Sequence, residues 1–284
     1  MPEGHTVHRH ARQLTAAFGG RPVAADSPQG RFAAGAAAVD GLVLLRAEAW
    51  GKHLFLRLDA PPGADRWVHV HLGLFGKWAL GTGTPPEPRG ALRLRLVGGD
   101  PAEPAWAELR GPTACELLDD AGRARLLDRL GPDPLRRDGD PSLALARVAR
   151  SRQSLAALLM DQSVVAGVGN VYRAEVLFRA GLHPEVRGRD LDPGRWNELW
   201  QDLATLMRAG VRSGRIVTTE REHRERRTGA VRRSDAHYVY RRHGLPCRVC
   251  GTTVQVRELL GRRLYWCPAC QAAGSTGTVS RDIA

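Results

Sequence analysis

Lysine is almost absent from this 284-residue chain, although the chain is strongly basic. Of its 42 basic side chains, 40 are arginine, and the only lysines are Lys52 and Lys77. A net charge of +12 is typical of proteins that bind polyanions, above all nucleic acid. The excess is concentrated between Thr205 and Arg263, where fifteen arginines accompany five acidic residues. Each lysine is therefore a candidate for a role that requires a compact ammonium group.

Long apolar runs are also lacking, and no stretch approaches the length needed to cross a bilayer. The start, Met-Pro-Glu-Gly-His-Thr, has no basic segment followed by an apolar one, so it does not resemble a secretory signal. We therefore expect a cytoplasmic protein with no membrane partner. Its length and its 43% hydrophobic residues predict two or three domains, each with a packed core.

Cysteine is scarce, and its spacing indicates a metal site. Cys115 stands alone and is expected to be a small buried residue. The other four form Cys247-x2-Cys250 and Cys267-x2-Cys270, with sixteen residues between the pairs. Two unrelated pairs or a redox motif are the alternatives, but this spacing predicts four thiolates on one structural Zn²⁺.

The sixteen residues between the cysteine pairs are long enough for a β-hairpin. Its predicted strands are Thr252–Val256 and Arg263–Trp266, with Gly261, Arg262 and Arg263 at the tip. The sequence therefore predicts a zinc finger that presents two arginines on a rigid support.

The first half of the chain reads as one helix followed by strands. Val7, Ala11, Leu14 and Phe18 recur at helical spacing. Four segments then alternate, or run apolar, between Gly and Pro breaks, which predicts an antiparallel sandwich or barrel. They are Val43–Leu45, His53–Leu58, Val68–Leu72 and Leu92–Leu96.

The second half reads as helices joined to the zinc finger. Residues 131–142 are dense in Gly, Pro and Asp, which predicts a linker. Beyond it, helical stripes end in one that runs from Trp196 to Met207. The arginine-rich segment Ser213–Ala236 has no periodicity and predicts a mobile loop. The predicted domains are therefore residues 1–130, 143–236 and 237–271, with a disordered tail over 272–284.

The first two functional candidates are a helix junction and the chain start. Gln162-x4-Gly167-Val168-Gly169-Asn170 joins two helices and suits either a phosphate site or an ordinary connection. If Met1 is removed, Pro2 carries a secondary amine that can form an iminium with a sugar C1′. Glu3 beside it suits a general acid or base. In an arbitrary protein, a helix start with Glu favoured by the helix dipole is the commoner explanation of Pro followed by Glu.

His69 and His71 alternate along a predicted strand. They suit either a metal pair or structural roles.

Taken together, these motifs resemble the Fpg/Nei family of formamidopyrimidine and endonuclease VIII DNA glycosylases. The resemblance runs nearly end to end. It covers Pro2-Glu3-Gly4, Gly51-Lys52, His71-Leu72-Gly73-Leu74, Gly167–Tyr172 and the zinc finger. It implies an α+β fold: an N-terminal antiparallel β-sandwich with flanking helices, a helix–two-turn–helix domain around Ala156–Arg179, and a C-terminal β-hairpin zinc finger. Damaged DNA would bind a monomer in the basic cleft between the halves.

The resemblance also implies a role for each matching residue. Pro2 would be the Schiff-base nucleophile, Glu3 would protonate the opening sugar ring, and Lys52 would hold a phosphate near the extruded nucleotide. Asn170 and Arg262 would grip phosphates that flank the lesion.

Three further positions fall in loops that the family inserts into DNA. Leu74, with Phe75 as the alternative, would fill the gap left by the flipped base. Arg110 would lie in the second inserted loop.

Two departures from the family pattern bear on the substrate. The family commonly reads Pro-Glu-x-Pro-Glu, whereas this chain has His5 and Thr6. The formamidopyrimidine branch places an aromatic residue soon after its loop arginine, whereas Arg110 precedes Gly-Pro-Thr. Together with Gly4, these favour the endonuclease VIII branch, as in actinobacteria, and oxidised pyrimidines.

The predicted function is therefore a bacterial base excision repair enzyme, located with the nucleoid. It would remove oxidised bases and cleave the abasic site by β,δ-elimination through Pro2. The alternatives are a formamidopyrimidine/8-oxoguanine glycosylase of the same family and an inactive DNA-binding zinc-finger protein.

Overall fold

The computed structural model of the chain describes residues 2–61, 63–64 and 66–272. The chain divides into two compact units, Met1–Arg129 and Leu130–Ala284. Apart from residue 272, the predicted disordered tail lies outside the described residues. Within the described ranges, no helix is both long enough and apolar enough to cross a membrane.

In the part of the first unit that the structure describes, three helices combine with eight strands. The helices are α1 (Gly4–Phe18), α2 (Ala33–Val39) and α3 (Asp120–Leu127). The strands are β1 (Arg21–Asp26), β2 (Val43–Trp50), β3 (His53–Leu58), β4 (Trp67–His71), β5 (Lys77–Thr82), β6 (Leu92–Asp100), β7 (Glu103–Arg110) and β8 (Ala114–Leu118).

The eight strands form an antiparallel sheet in the order β5-β7-β6-β1-β2-β3-β4-β8. The sheet has two halves, β5-β7-β6 and β2-β3-β4-β8. β1 joins them, because Arg21–Pro22 pair with β2 and Val23–Asp26 pair with β6. The two halves enclose one core between them. The predicted β-sandwich is therefore confirmed.

The four predicted strands correspond to β2, β3, β4 and β6, whereas β1, β5, β7 and β8 were not predicted. Two of the missed strands are short of buried apolar residues: β1 buries only Val23 and Ala25, and β8 buries none fully. Their pairing with longer neighbours, rather than their own pattern, makes them strands.

Helix α1 packs its predicted stripe of Val7, Ala11, Leu14 and Phe18 into the sandwich core. Thr15 ties the helix to β2, since its hydroxyl donates to the carbonyl of Ala47 and accepts from the Ala47 amide, at 3.1 and 2.8 Å. The helix that carries the chain start is thus fixed to the sheet.

Over its described residues, 130–272, the second unit contains four α-helices and one hairpin. These are α4 (Pro141–Val148), α5 (Leu155–Leu158), α6 (Asn170–Arg179), α7 (Pro193–Ser213), β9 (Gln255–Leu259) and β10 (Arg262–Trp266). Two short 3₁₀ turns cover Gly188–Asp190 and Arg221–His223. Helix α7 begins where the Asp192 carboxylate accepts from the Arg195 amide, and it ends at Gly214, whose φ is +72°.

The predicted linker packs against the second unit at its beginning. Residues 131–134 are buried. The Gly131 amide donates to the Gln162 carbonyl, and the Ala166 amide donates to the Pro132 carbonyl. A Cβ on Gly131 would lie 2.5 Å from two carbonyl oxygens, so glycine is required there. The Gly and Pro residues of this segment allow a close backbone approach.

The segment predicted as a mobile loop has little regular structure, but both of its ends are anchored. Thr218 and Asp235 are buried. The carboxylate of the buried Glu175 on α6 accepts the Thr218 hydroxyl and the backbone amides of residues 238–240. One carboxylate therefore joins α6 to both ends of the arginine-rich segment.

Glu175→Ala should lower the free energy of unfolding by about 3 kcal/mol or more, because it leaves three backbone amides, two of them in buried residues, without an acceptor. Urea denaturation measures this loss. Glu198→Ala on α7, where the carboxylate is mostly exposed and pairs with Arg195, is the control. It should change stability by no more than about 0.5 kcal/mol. Equal effects of the two variants would contradict the anchoring role of Glu175.

Candidate active site and nucleic-acid interface

The chain start places an acidic group in a buried position. Pro2 is half-buried and Glu3 is fully buried immediately before α1. The Glu3 carbonyl accepts from the Thr6 amide at 2.9 Å, which begins the helix. The Glu3 carboxylate makes no capping hydrogen bond to that helix. Helix capping therefore does not account for a glutamate at this position.

The residues after Glu3 add no second acid. Thr6 is half-buried, and its hydroxyl lies 3.2 Å from Nε2 of His5. Burial, with the charge of the chain terminus and of neighbouring histidines, lowers the pKa of His5 to about 4, so this ring is neutral at pH 7. Glu3 is the only acidic side chain among the first seven residues.

Lys52 lies in the two-residue turn between β2 and β3, where Trp50 pairs with His53. Gly51 has a φ of +57°, as the first position of a type II′ hairpin turn requires. Lys52 is half-buried, and its charge contributes to lowering the pKa of both His53 and His71. The ammonium group is thus held at the end of a rigid hairpin.

His69 and His71 face the same side of β4. His69 Nε2 lies 2.9 Å from Nδ1 of His53, which is a hydrogen bond rather than a shared metal. Among residues 2–61, 63–64 and 66–272, the cysteines form the only group of three or more potential ligands that converge. The structure therefore favours the non-metal interpretation of these histidines.

The loop from β4 to β5 exposes two large apolar side chains. Leu74 is 53% exposed and Phe75 is 86% exposed. Gly73 has a φ of +65°, and a Cβ there would lie 1.9 Å from the Thr113 hydroxyl. The loop of Thr113 is therefore packed directly against Gly73. Adjacent exposed apolar side chains on a tight loop are typical of an interaction site.

Arg110 ends β7 beside the Leu74 loop, and β5 pairs it with Lys77. Its guanidinium lies 2.6 Å from a carboxylate oxygen of the fully buried Glu108. Arg95 binds the other oxygen of Glu108, also at 2.6 Å. The structure thus brings Leu74, Phe75 and Arg110 together, with the Arg110 side chain braced by an ion pair.

The junction before α6 is held by Gln162. Its side-chain oxygen accepts from the Gly167 amide at 3.0 Å, and its amide group donates to the carbonyls of Met160 and Val168. Gly167 has a φ of +95°, which favours glycine. The glycine pattern seen in the sequence therefore has a structural cause.

Asn170, at the first position of α6, connects this junction to the zinc finger. Its side-chain amide donates to the backbone carbonyl of Arg263 at 2.9 Å. The buried Arg173 donates to the same carbonyl at 3.3 Å and to the Asn170 side-chain oxygen. Arg262 directly precedes that carbonyl along the chain. Asn170 and Arg262 therefore lie in one place.

The hairpin tip differs from the prediction. The turn consists of Leu260 and Gly261, with φ of +51° and +67°, and Arg262 and Arg263 already belong to β10. Positive φ at both positions is the geometry of a type I′ turn, which joins twisted strands directly. Predicting the tip at Gly261–Arg263, and the first strand at Thr252–Val256, was wrong because the strands extend further toward the turn.

The four cysteines Cys247, Cys250, Cys267 and Cys270 lie with their sulfur atoms within 4.8 Å of one another. Two of these separations, Cys247 to Cys270 and Cys250 to Cys267, are 3.8 and 3.5 Å. Tetrahedral Zn–S bonds of about 2.3 Å place sulfur atoms about 3.8 Å apart. The set therefore fits one structural Zn²⁺. Burial raises the pKa of the remaining thiol, Cys115, to about 12, so it stays protonated.

Sequence reasoning missed the buried residues that hold these groups in place. They are Glu108, Glu175, Arg173 and Gln271, all fully buried. Gln271 accepts from the Cys267 amide and donates to the Leu182 carbonyl, which fixes the end of the finger. Glu108, Arg173 and Glu175 lie among apolar neighbours, and the sequence does not show whether a polar residue in such a segment faces the core or the solvent.

Comparison with known proteins gives three matching family models. Residues 1–115 match the formamidopyrimidine-DNA glycosylase N-terminal domain, and residues 130–222 match the formamidopyrimidine-DNA glycosylase H2TH domain. Residues 244–273 match the zinc finger found in FPG and IleRS. The matches follow the order expected from the resemblance.

Two relatives are similar over nearly the whole chain. Endonuclease 8 1 of Mycobacterium tuberculosis is 49% identical over 275 residues, which cover 95% of this chain and 100% of that protein. The DNA-(apurinic or apyrimidinic site) lyase Nei2 of Mycolicibacterium smegmatis is 34% identical, with 96% and 100% covered.

Among solved structures, Lactococcus lactis formamidopyrimidine-DNA glycosylase, non-covalently bound to DNA that contains an AP site, aligns with a TM-score of 0.74. It is 22% identical, and the alignment covers 95% of this chain and 100% of that one. At this identity the likeness establishes the fold.

Cys250→Ser should release the metal, because structural zinc supplies about 10 kcal/mol or more of folding free energy to such units. Zinc content by atomic absorption should fall from one ion per chain to near none, and limited proteolysis should cut within residues 244–271. Cys115→Ser is the control and should retain the ion. Retention of zinc by the Cys250 variant would contradict a four-cysteine site.

Proposed function

From the premise that the chain belongs to the formamidopyrimidine-DNA glycosylase and endonuclease VIII family, and is a DNA glycosylase and AP lyase of base excision repair, we propose that it acts through Pro2 on oxidised bases, pyrimidines favoured. The observation that carries the assignment of the nucleophile is the buried Glu3 carboxylate, which does not cap α1 and lies next to Pro2. DNA is the partner, and the chain acts on it as a monomer in the bacterial cytoplasm.

The chemistry follows from an amine beside an acid. The Pro2 nitrogen attacks C1′ of the damaged nucleotide, the bond from C1′ to the base breaks, and the sugar ring opens as Glu3 delivers a proton to the ring oxygen. The iminium that results acidifies the C2′ proton, so β-elimination breaks the 3′ C–O bond. A second elimination then breaks the 5′ C–O bond.

Lys52, Asn170 and Arg262 position the DNA backbone in this proposal. Lys52 is held at the β2–β3 turn and contacts a phosphate near the extruded nucleotide. The hydrogen bond from Asn170 to the Arg263 carbonyl sets the position of the neighbouring Arg262. Asn170 and Arg262 therefore contact phosphates that flank the lesion. Phosphate contacts of this kind add affinity without reading the sequence.

Leu74, with Phe75 as the alternative, occupies the space left by the flipped base. Both are exposed on a loop that is tightly packed at Gly73. Arg110 is braced by Glu108, and Gly111–Thr113 follow it without an aromatic side chain. The absence of that aromatic residue supports the preference for oxidised pyrimidines.

Pro2→Gly should reduce borohydride trapping on abasic DNA by at least about a hundredfold, because it replaces the secondary amine of Pro2 with a primary amine. Affinity for the same DNA should stay within about threefold, since the phosphate contacts lie elsewhere. Trapping is measured by denaturing gel and affinity by fluorescence anisotropy.

The matched control for Pro2 is Pro193→Gly, which alters another proline at a helix start. It should trap DNA normally. Full trapping by the Pro2 variant, or by a chain whose amine is blocked by a retained tag, would overturn the assignment of the nucleophile.

Leu74→Ala and Phe75→Ala test the wedge. At least one should slow base release from duplex DNA about tenfold, equal to 1.4 kcal/mol, while release from single strands changes little. Leu143→Ala removes a leucine of similar exposure, 59%, on α4 and should leave both rates unchanged. Equal losses on duplex and single strands would show that the loop does not replace the flipped base.

A further inference from the structure

A chain of three hydrogen-bonded side chains crosses three neighbouring strands of the first unit. His69 on β4 lies opposite Glu116 on β8, and its Nδ1 is 2.8 Å from Oε1 of that residue. On its other side, His69 Nε2 is 2.9 Å from Nδ1 of His53 at the start of β3. These three side chains lie on the face of the sheet opposite to the one that carries the core residues Leu54 and Val70.

The contacts fix the proton on each ring. A carboxylate only accepts, so Nδ1–H of His69 donates to Glu116. A neutral imidazole carries one proton, so Nε2 of His69 accepts from Nδ1–H of His53. Burial lowers the pKa of His69, and burial with neighbouring positive charges lowers that of His53 to about 3, so both rings are neutral. Each imidazole is held as a single tautomer.

Packing on both sides holds the hydrogen-bonded rings of His53 and His69 in place. The His69 ring stacks between those of His53 and Phe55, with centroid distances of 5.1 and 5.2 Å. The guanidinium of Arg123 covers Phe55 at 5.2 Å. The His71 ring lies 4.9 Å from His53. Neither ring of the chain can rotate without breaking these contacts.

This series of hydrogen bonds ends at His53, which is next to Lys52 in the sequence. His53 follows Lys52 directly and pairs with Trp50 to close the two-residue turn. The charge of Lys52 acts on both His53 and His71, so its ammonium group lies within electrostatic range of the two rings. A fixed His53 therefore means a fixed starting point for the Lys52 side chain.

We propose that Glu116, His69 and His53 are positioning residues for Lys52. They hold the turn that carries Lys52 in one geometry. The inference rests on the proposed phosphate contact of Lys52. It assigns a function to His53 and Glu116, which no motif of the sequence marks, and it makes a half-exposed glutamate on β8 part of the support for the active site.

The test is the single-turnover rate of strand cleavage at an abasic site in duplex DNA, measured together with affinity. His69→Leu and Glu116→Leu should each lower the rate about tenfold, because a misplaced phosphate contact slows the chemistry, while affinity stays within about twofold. Glu116→Gln keeps a side-chain oxygen that accepts from His69, so it should stay within about twofold of the native rate.

A double-mutant cycle with Lys52→Gln separates action through Lys52 from general damage. In the Lys52→Gln background, His69→Leu and Glu116→Leu should cause no further loss of rate. Trp67→Phe is the control: it removes the 2.7 Å bond from the indole nitrogen to Asp120, two residues from His69 on the same strand. It should retain the native rate.

If His69→Leu or Glu116→Leu lowers the cleavage rate further in the Lys52→Gln background, the positioning role is overturned. A Glu116→Gln variant that cleaves as slowly as Glu116→Leu would also overturn it. If thermal denaturation shows that the His69 variant does not fold, the two Glu116 variants decide, because position 116 is exposed. A native rate for Lys52→Gln alone would instead overturn the phosphate contact of Lys52, and this inference with it.

Discussion

The second unit depends on the burial of a single carboxylate. Glu175 lies on α6 and accepts three consecutive backbone amides, 238–240, together with the Thr218 hydroxyl. A buried charge is tolerated only when it is fully hydrogen-bonded, so this contact determines where the chain must pass on its way to the finger. With that path fixed, β10 lies against the start of α6, where Asn170 and Arg173 reach the Arg263 carbonyl. The metal stabilises the finger, and Glu175 determines its location.

The same construction recurs in the first unit, where polar groups that are buried or hydrogen-bonded hold the exposed ones in place. Glu108 binds Arg95 and Arg110 beneath the loop that presents Leu74 and Phe75. Glu116 and two histidines support the turn that presents Lys52. Each exposed group thus has a rigid support of strands and ion pairs. A group held in this way loses less conformational freedom when DNA binds.

The sequence was sufficient to predict the architecture and the zinc ligands, whereas the roles of the other site residues stay predictions. The cysteine spacing, the stripe of α1 and the glycines before α6 each reflect a local requirement that a single chain segment displays. Strands β1 and β8 were not predictable, because partner strands rather than their own pattern stabilise them. The turn of the hairpin was predicted to begin at Gly261 but begins at Leu260, because nothing in the sequence indicates the positive φ of Leu260. Glu175 and Glu116 act through residues distant in sequence, which no local pattern reveals.

The exposed pair Leu74 and Phe75 has a thermodynamic consequence for the free protein. In water these side chains order solvent around apolar surface. Fully burying an exposed side chain of this kind stabilises by about 1.5–3 kcal/mol, of which Phe75, 86% exposed, can still gain most and Leu74, 53% exposed, about half. The free protein therefore lies higher in free energy than it would with a covered loop, and any partner that buries the pair releases that difference. The amount is comparable to the few kcal/mol required to unstack one base. A net charge of +12 makes such molecules repel one another, which opposes their association through the apolar loop.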